Sequence, residues 1–276
     1  MIDQLSFDAI GDLAAVHAVR DAAMNQGDNL CGCFWAWVAL RAFDHSNLPD
    51  EEAAALIAGC VVPVGATDPA FSLPWRGRGV TASWPYRLAL PTSTADDAIG
   101  TSAHGVVRAV DVLSEGRLVA LPYAAGRWTA PLVHELMQRL IGLGSIPLLA
   151  VANVATTHFI GSTISTDSVI NHLLLGESLP DLEPDWQVGH FCSLAGVLRG
   201  PAAELVVVRD TYRAMGWRGH HVQTFASIAA ALDRDGKGTG GVLLVTTAAH
   251  TDVVSGAVDG LDLINELWDN GSPQPQ

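Results

Sequence analysis

The sequence predicts an α+β protein of two lobes, with a helical first part and a β-rich last part. Two observations predict it. Apolar residues recur at helical spacing through much of the first 115 positions, and from Trp186 onward β-branched runs alternate with turn residues. A third observation sets the scale: 276 residues, 49% hydrophobic and 16% charged, suffice for a sizeable core.

In the first part, Leu13, Val16, Val19 and Ala23 predict a helix over 8–23, broken by Asn25-Gln26-Gly27-Asp28-Asn29. A second helix is expected to begin near Cys31 and run through Phe43, buried by Phe34, Trp35, Trp37, Val38 and Leu40. A third, capped and charged by Asp50 and Glu51, should end near Gly59. Residues 61–95 carry Pro63, Pro69, Pro74, Pro85 and Pro91 with Gly65, Gly77 and Gly79. They read as a long irregular excursion punctuated by Trp75, Trp84 and Tyr86, of a kind that serves as a lid or specificity loop.

The chain then alternates: helix 96–113, strand 117–122, helix 130–141, strand 146–152 and a short helix 168–174. A strand over 188–197, a turn at Arg199-Gly200-Pro201-Ala202 and a strand over 205–209 follow. Helix 224–232, a turn in DRDGKGTGG and a last strand 242–246 complete the pattern. The whole reads as one domain: a helical half of about 1–115 with its insertion 61–95, a mixed or β half of about 116–268, and a polar, Pro-rich tail 269–276 expected to fray.

Charge limits the partners. Acidic residues outnumber basic ones 29 to 15, and Lys237 is the sole lysine. Nucleic-acid backbones and anionic membrane surfaces attract clustered Lys and Arg, so neither is an expected partner. The longest apolar stretch, 141–155, is interrupted by Gly142, Gly144, Ser145, Pro147 and Asn153 and reads as a buried strand with its approach, not a membrane span. The opening MIDQLSFDAIGDL carries acids and no basic region, which predicts no signal peptide and a cytoplasmic location. Four cysteines (Cys31, Cys33, Cys60, Cys192) are too few for a secreted disulfide scaffold of this length and are expected to be free.

The stretch DNLCGCFWAW places Cys31 after a loop and before a helical run. A helix N-terminus offers unpaired N–H groups and the positive end of the dipole, both of which favour a thiolate. Gly32 is expected to leave space beside the sulfur for a substrate backbone. Cys33, inside the first turn, should point elsewhere. A nucleophilic thiolate needs a base and a group to orient that base. His190 opens the strand 188–197, and a hairpin with 205–209 would bring it beside Asp210, which would fix its tautomer.

Other chemistry is weaker. His158 is a rival base but lacks a later strand ending in Asp. Cys31 and Cys33 are separated by one residue, tighter than the two to four usual in structural zinc sites, and no C-x-x-C redox pair exists. The turn at Asp233 has Leu244 where a calcium loop requires Glu. The glycines of 236–241 follow a helix rather than a strand, which supports no phosphate cradle. His220 and His221 either line the cleft or lie in a surface loop. No metal or cofactor is required.

QGDNLCG, VGHFCSL and VVVRDTY occur in that order, and together the sequence resembles the papain-like cysteine peptidase superfamily, most closely its C39-like branch. The section from 63 to 185 carries no part of the resemblance. The resemblance implies a papain-like α+β fold: a helical lobe bearing the cysteine helix, packed on an antiparallel sheet bearing His and Asp. It implies Cys31 as nucleophile, His190 as base and acid, and Asp210 as orienter. The family's oxyanion-hole Gln lies six positions before the cysteine. Here that position is Asn25, with Gln26 five before; Gln26 is favoured and Asn25 second, the Cys31 backbone N–H being the other donor. The implied activity is cysteine-dependent acyl transfer on a peptide or a small amide or thioester: a peptidase or amidase, with an amide-forming acyltransferase or a non-catalytic peptide-binding scaffold as alternatives.

Overall fold

The computed structural model describes residues 2–23, 25–64, 86–234 and 238–275. In chain order its elements are β1 (Ser6–Ala9), α1 (Leu13–Ala22), α2 (Cys31–Phe43), α3 (Glu52–Ala58), β2 (Val62–Pro63), β3 (Thr92–Ser93), α4 (Ala103–Ser114) and β4 (Leu118–Tyr123). Then come α5 (Ala130–Gly142), β5 (Leu148–Ala155), α6 (Thr166–Leu175), β6 (Gly189–Arg199), β7 (Glu204–Arg209), β8 (His220–Gln223), α7 (Phe225–Asp233), β9 (Gly241–Thr247) and α8 (Thr251–Val258).

Seven of these strands form one sheet: six run in the order β4-β9-β5-β6-β7-β8, the seventh, β1, pairs with β6, and every pair is antiparallel. β6 is long enough to serve two neighbours on one edge: β5 pairs with residues 189–194 and β1 with 196–199. β2 and β3 form a separate two-stranded parallel ladder.

The fold is mixed α+β, but its helices do not gather on one side. Strand side chains alternate between faces. On β9, Leu243 and Val245 pack with α1 to α4, whereas Val242 and Leu244 pack with α5, α7 and α8. β5 divides the same way, Leu149 and Val151 against Leu148, Ala150 and Ala152. The sheet is therefore buried on both faces, which explains the near-continuous apolar runs of β5 and β9. The expected helical lobe and β lobe become two helical layers on a shared sheet.

Local signals fixed most boundaries, and three needed correction. Residues 8 and 9, expected in the first helix, belong to β1, where Asp8 pairs with Val197. Gly11 then turns at φ +61, and any Cβ there would lie 2.3 Å from the Leu148 carbonyl oxygen. Asp12 caps α1 by accepting the Ala15 N–H at 3.0 Å. The helix expected over 96–113 is a 3-10 turn at Asp96–Ala98 followed by α4, which Ser102 caps. The tail expected to fray is held down as far as Pro275. Trp268 Nε1 donates to Asn153 Oδ1 at 3.1 Å, Asn270 Nδ2 to the Thr101 carbonyl at 3.0 Å, and Pro275 packs on Gly59. The 61–95 excursion lies largely outside the described residues, at 65–85, as do Asp235, Gly236 and Lys237 of the expected turn.

Candidate active site

Helix α2 carries the first candidate. It runs from Cys31 to Phe43 as expected, and its apolar side chains hold it in place: Phe34, Trp35, Val38 and Leu40 are at most 1% exposed. Trp35 Nε1 donates to the Phe191 carbonyl at 3.1 Å, fastening the helix to β6 one residue from His190. Its N-cap is Leu30, which supplies no side-chain hydrogen bond, so the first-turn N–H groups beside Cys31 receive nothing from the cap. Gly32 does not leave the open space expected of it. A Cβ there would lie 2.7 Å from Val106 Cγ2 and 3.1 Å from Phe191 Cδ2. Its missing side chain lets α4 and β6 close on the helix.

Strands β6 and β7 carry the second and third candidates. They form the expected hairpin, with Ser193 opposite Arg209, and Asp210 follows directly. His190 Nε2 lies 3.2 Å from Asp210 Oδ2, and each side chain is 1% exposed. Nε2 thus faces the carboxylate, and the Cys31 side chain is near enough to the ring to act on its charge. Burial alone would lower the imidazole, but the Asp210 charge and hydrogen bond, followed by Cys31, outweigh it and raise the ring to about 10. Burial would raise the Asp210 carboxyl; His190 and His221 instead hold it well below the usual carboxylate range. Of the three residues Cys31 alone is partly exposed, while His190 and Asp210 are buried.

Asp210 is positioned from several directions. Its Oδ1 accepts the Tyr212 N–H at 3.0 Å and the Thr211 hydroxyl at 3.3 Å. Its carbonyl accepts two bonds from Arg20 of α1, at 2.9 and 2.8 Å. The Trp186 ring meets His190 edge-on at 4.8 Å between centroids.

A second polar group backs His190. Asn153 on β5 donates from Nδ2 to the His190 carbonyl at 3.3 Å and accepts on Oδ1 from Arg234 Nη1 at 3.0 Å and from Trp268. Arg234 ends α7 with φ 54, and its guanidinium lies so close to Gly189 that a Cβ there would fall 2.9 Å from Nη2. Burial lowers the Arg234 guanidinium, and the charges of Cys31 and Asp269 oppose that. Sequence reading missed Arg234, Asn153 and Arg20, and offered His221 only as a residue of the cleft or of a surface loop. Asn153 left one signal, a polar residue in the middle of an apolar strand.

The two oxyanion-hole candidates differ in their commitments. Asn25 Oδ1 accepts the Arg213 N–H at 2.9 Å. Gln26 is 2% exposed and donates from Nε2 to the Gly27 carbonyl at 3.1 Å; its Oε1 is buried with no hydrogen-bond partner among the described residues. The turn holding Gln26 is anchored by Glu51 Oε1, which accepts the Gly27 N–H at 2.6 Å, and by Tyr86, whose hydroxyl donates to the Asp28 carbonyl at 2.8 Å. Burial raises Glu51 to about 7 and Asp28 to about 6.

The remaining cysteines are buried. Cys33 and Cys60 are fully buried around the Thr101 hydroxyl, at 3.3 and 3.1 Å. Cys192 packs into the core on the opposite face of the sheet. Burial pushes the Cys33 and Cys192 thiols up, away from the thiolate. His158 sits in the turn after β5, and His220 and His221 lie on β8 rather than in a loop.

Residues 10–269 match a family of unknown function, DUF6885, which spans the whole of this arrangement. The chain belongs to that family. No protein of curated function matches it. Cys31, His190, Asp210, Gln26 and Arg234 all fall within the family's span.

Proposed function

We propose that the protein is a cysteine-dependent acyl-transfer enzyme with a papain-like core, acting as a peptidase or amidase. The observation that carries this reading is the buried His190 ring, which meets the Asp210 carboxylate at 3.2 Å and feels the Cys31 side chain beside it. Chain order agrees with it: a cysteine heads a helix in the first part, and the imidazole and carboxylate come from an antiparallel hairpin in the second.

In this mechanism the Cys31 proton passes to His190 Nδ1, giving a thiolate beside an imidazolium that Asp210 stabilises. The sulfur attacks the carbonyl carbon of an amide or thioester, and the carbonyl pair moves to oxygen. The Cys31 backbone N–H and the Gln26 amide would donate to that oxyanion. Collapse expels the leaving amine or thiol, which takes its proton from His190, and leaves an acyl-enzyme. His190 then draws a proton from water as it adds to the thioester, releasing a carboxylic acid and restoring the thiol. Proton shuttling of this kind contributes roughly 10²–10⁴-fold to rate.

Rapid-quench mass spectrometry of the protein with p-nitrophenyl acetate tests the proposal. The expected result is a burst of nitrophenol equal to the enzyme present, with one acetyl group on the Cys31 peptide. Added amine separates the two enzymatic outcomes: acid as product supports hydrolysis, and amide in excess over acid supports aminolysis. No burst, or acetylation spread over surface residues, overturns both in favour of a binding scaffold.

A further inference from the structure

His221 is a buried imidazole that the mechanism above does not use. It is 1% exposed on β8, and its Nε2 lies 3.8 Å from Asp210 Oδ2, the same oxygen that holds His190. That nitrogen is buried without a hydrogen bond of normal length among the described residues. On the ring's other side, Gln223 Nε2 lies 3.1 Å from His221 Nδ1.

The position of the ring proton follows from Gln223. Its amide cannot be turned over, because Oε1 accepts the Ile160 N–H at 2.7 Å while Nε2 donates to the Ile160 carbonyl at 2.8 Å. Nε2 carries only donors, so the atom it meets on His221 must accept. Nδ1 is therefore unprotonated and the proton sits on Nε2, aimed at Asp210. The groups facing that carboxylate are then His190 from β6, His221 from β8, and the Thr211 hydroxyl and Tyr212 N–H from its own loop. Facing His221 are Asp210, Gln223 and the Phe159 ring.

We propose that His221 is a positioning residue of the Cys31–His190–Asp210 centre, a second imidazole whose Nε2–H holds the Asp210 carboxylate ionised and turned toward His190. The inference rests on the acyl-transfer reading of that centre. At 3.8 Å the contact is longer than a hydrogen bond, in keeping with catalytic contacts that tighten only when substrate is bound. Sharing Oδ2 between two ring N–H groups keeps the oxygen that serves His190 from rotating away. Losing His221 would leave that oxygen with one donor, allow Asp210 to take a proton at higher pH, and weaken the imidazolium that supports the Cys31 thiolate in acid.

Two measurements test this. Long-range ¹H–¹⁵N correlation spectra of the native protein report the ring proton of His221, identified by the signals lost in His221→Gln. The expected form is the neutral tautomer protonated on Nε2, and Gln223→Leu should give a mixture of tautomers. In parallel, iodoacetamide alkylation of Cys31 is followed from about pH 4.5 to 9. His221→Leu should react about tenfold more slowly than the native protein near pH 5 and approach it near pH 8. His221→Gln, which retains an N–H donor, should remain within about threefold across the range. A His221 proton found on Nδ1, or a His221→Leu profile superimposable on the native one, overturns the inference. A native Cys31 that fails to alkylate selectively overturns the reactive centre itself, and the spectrum reads the tautomer independently of that result.

Discussion

The His190 imidazole and the Asp210 carboxylate meet at 3.2 Å although twenty positions separate them in the chain. Each is 1% exposed, so little water weakens their attraction. The hairpin of β6 and β7 makes the contact, and Arg20 and Tyr212 hold the carboxylate's end of it.

That contact makes stability depend on pH. His190 is raised from 6.5 to about 10, so its contribution is full below 6.5 and is lost as pH rises toward 10. Asp210 is lowered from 3.8, so its contribution is full above 3.8 and is lost as pH falls below it. Asp210→Asn should therefore cost most between about pH 4 and 6.5, on the order of 3–5 kcal/mol for a broken buried pair. Urea unfolding of both proteins across pH should show the difference narrowing at each end. A constant difference would mean that the pair is not ionised.

Gln26→Ala should separate two kinds of reactivity at Cys31. Acyl transfer passes through an oxyanion, and loss of one donor costs about 10²–10³ in rate. Alkylation by iodoacetamide has no oxyanion, so its rate should stay within about threefold of the native rate. Measuring both on one preparation checks the assignment. Equal losses in the two assays would make Gln26 a structural support for the turn, and an Asn25→Ala loss confined to acyl transfer would move the role to that residue.

Glu51→Gln should stabilise the protein above neutrality. Burial raises Glu51 from 4.5 to about 7, so the native state is favoured below 4.5 and loses that advantage as pH rises through 7. A Gln oxygen can still accept the Gly27 N–H that Glu51 now holds at 2.6 Å. The expected gain at pH 8 is roughly 1–3 kcal/mol, with little change at pH 4, read by urea unfolding. A loss at pH 8 would show that the ionised carboxylate supports the turn.

Gly32→Ala should cost about 1–3 kcal/mol of stability, since its Cβ would press on Val106 and Phe191. It should also slow Cys31 alkylation, because the displaced helix carries the sulfur away from His190. A variant of native stability and reactivity would show that α2 shifts freely.

The parts of this site that came from local pattern were legible in the sequence. A loop before an apolar helical run marked Cys31, and two β-branched runs around Arg199-Gly200-Pro201-Ala202 marked the hairpin that joins His190 to Asp210. What depended on distant packing was not. Arg20 lies on a helix with one buried face, and nothing around it signals a bond to a carbonyl 190 positions away. Arg234 sits in a turn whose glycines drew attention away from the guanidinium it carries. β8 is only four residues long and opens on two histidines, a pattern closer to a loop than a strand. The β1 strand was hidden because Asp8 and Ala9 precede a true helix without a visible break other than Gly11.

The central claim is that His190 activates the sulfur of Cys31, and selective alkylation measures it most directly. Native protein treated briefly with iodoacetamide near pH 6, then digested and mapped, should carry the label on Cys31, with Cys33, Cys60 and Cys192 protected by burial. His190→Ala should slow that labelling by about 10²-fold or more. Labelling of Cys31 that requires denaturant, or that proceeds equally fast without the His190 ring, would contradict the account.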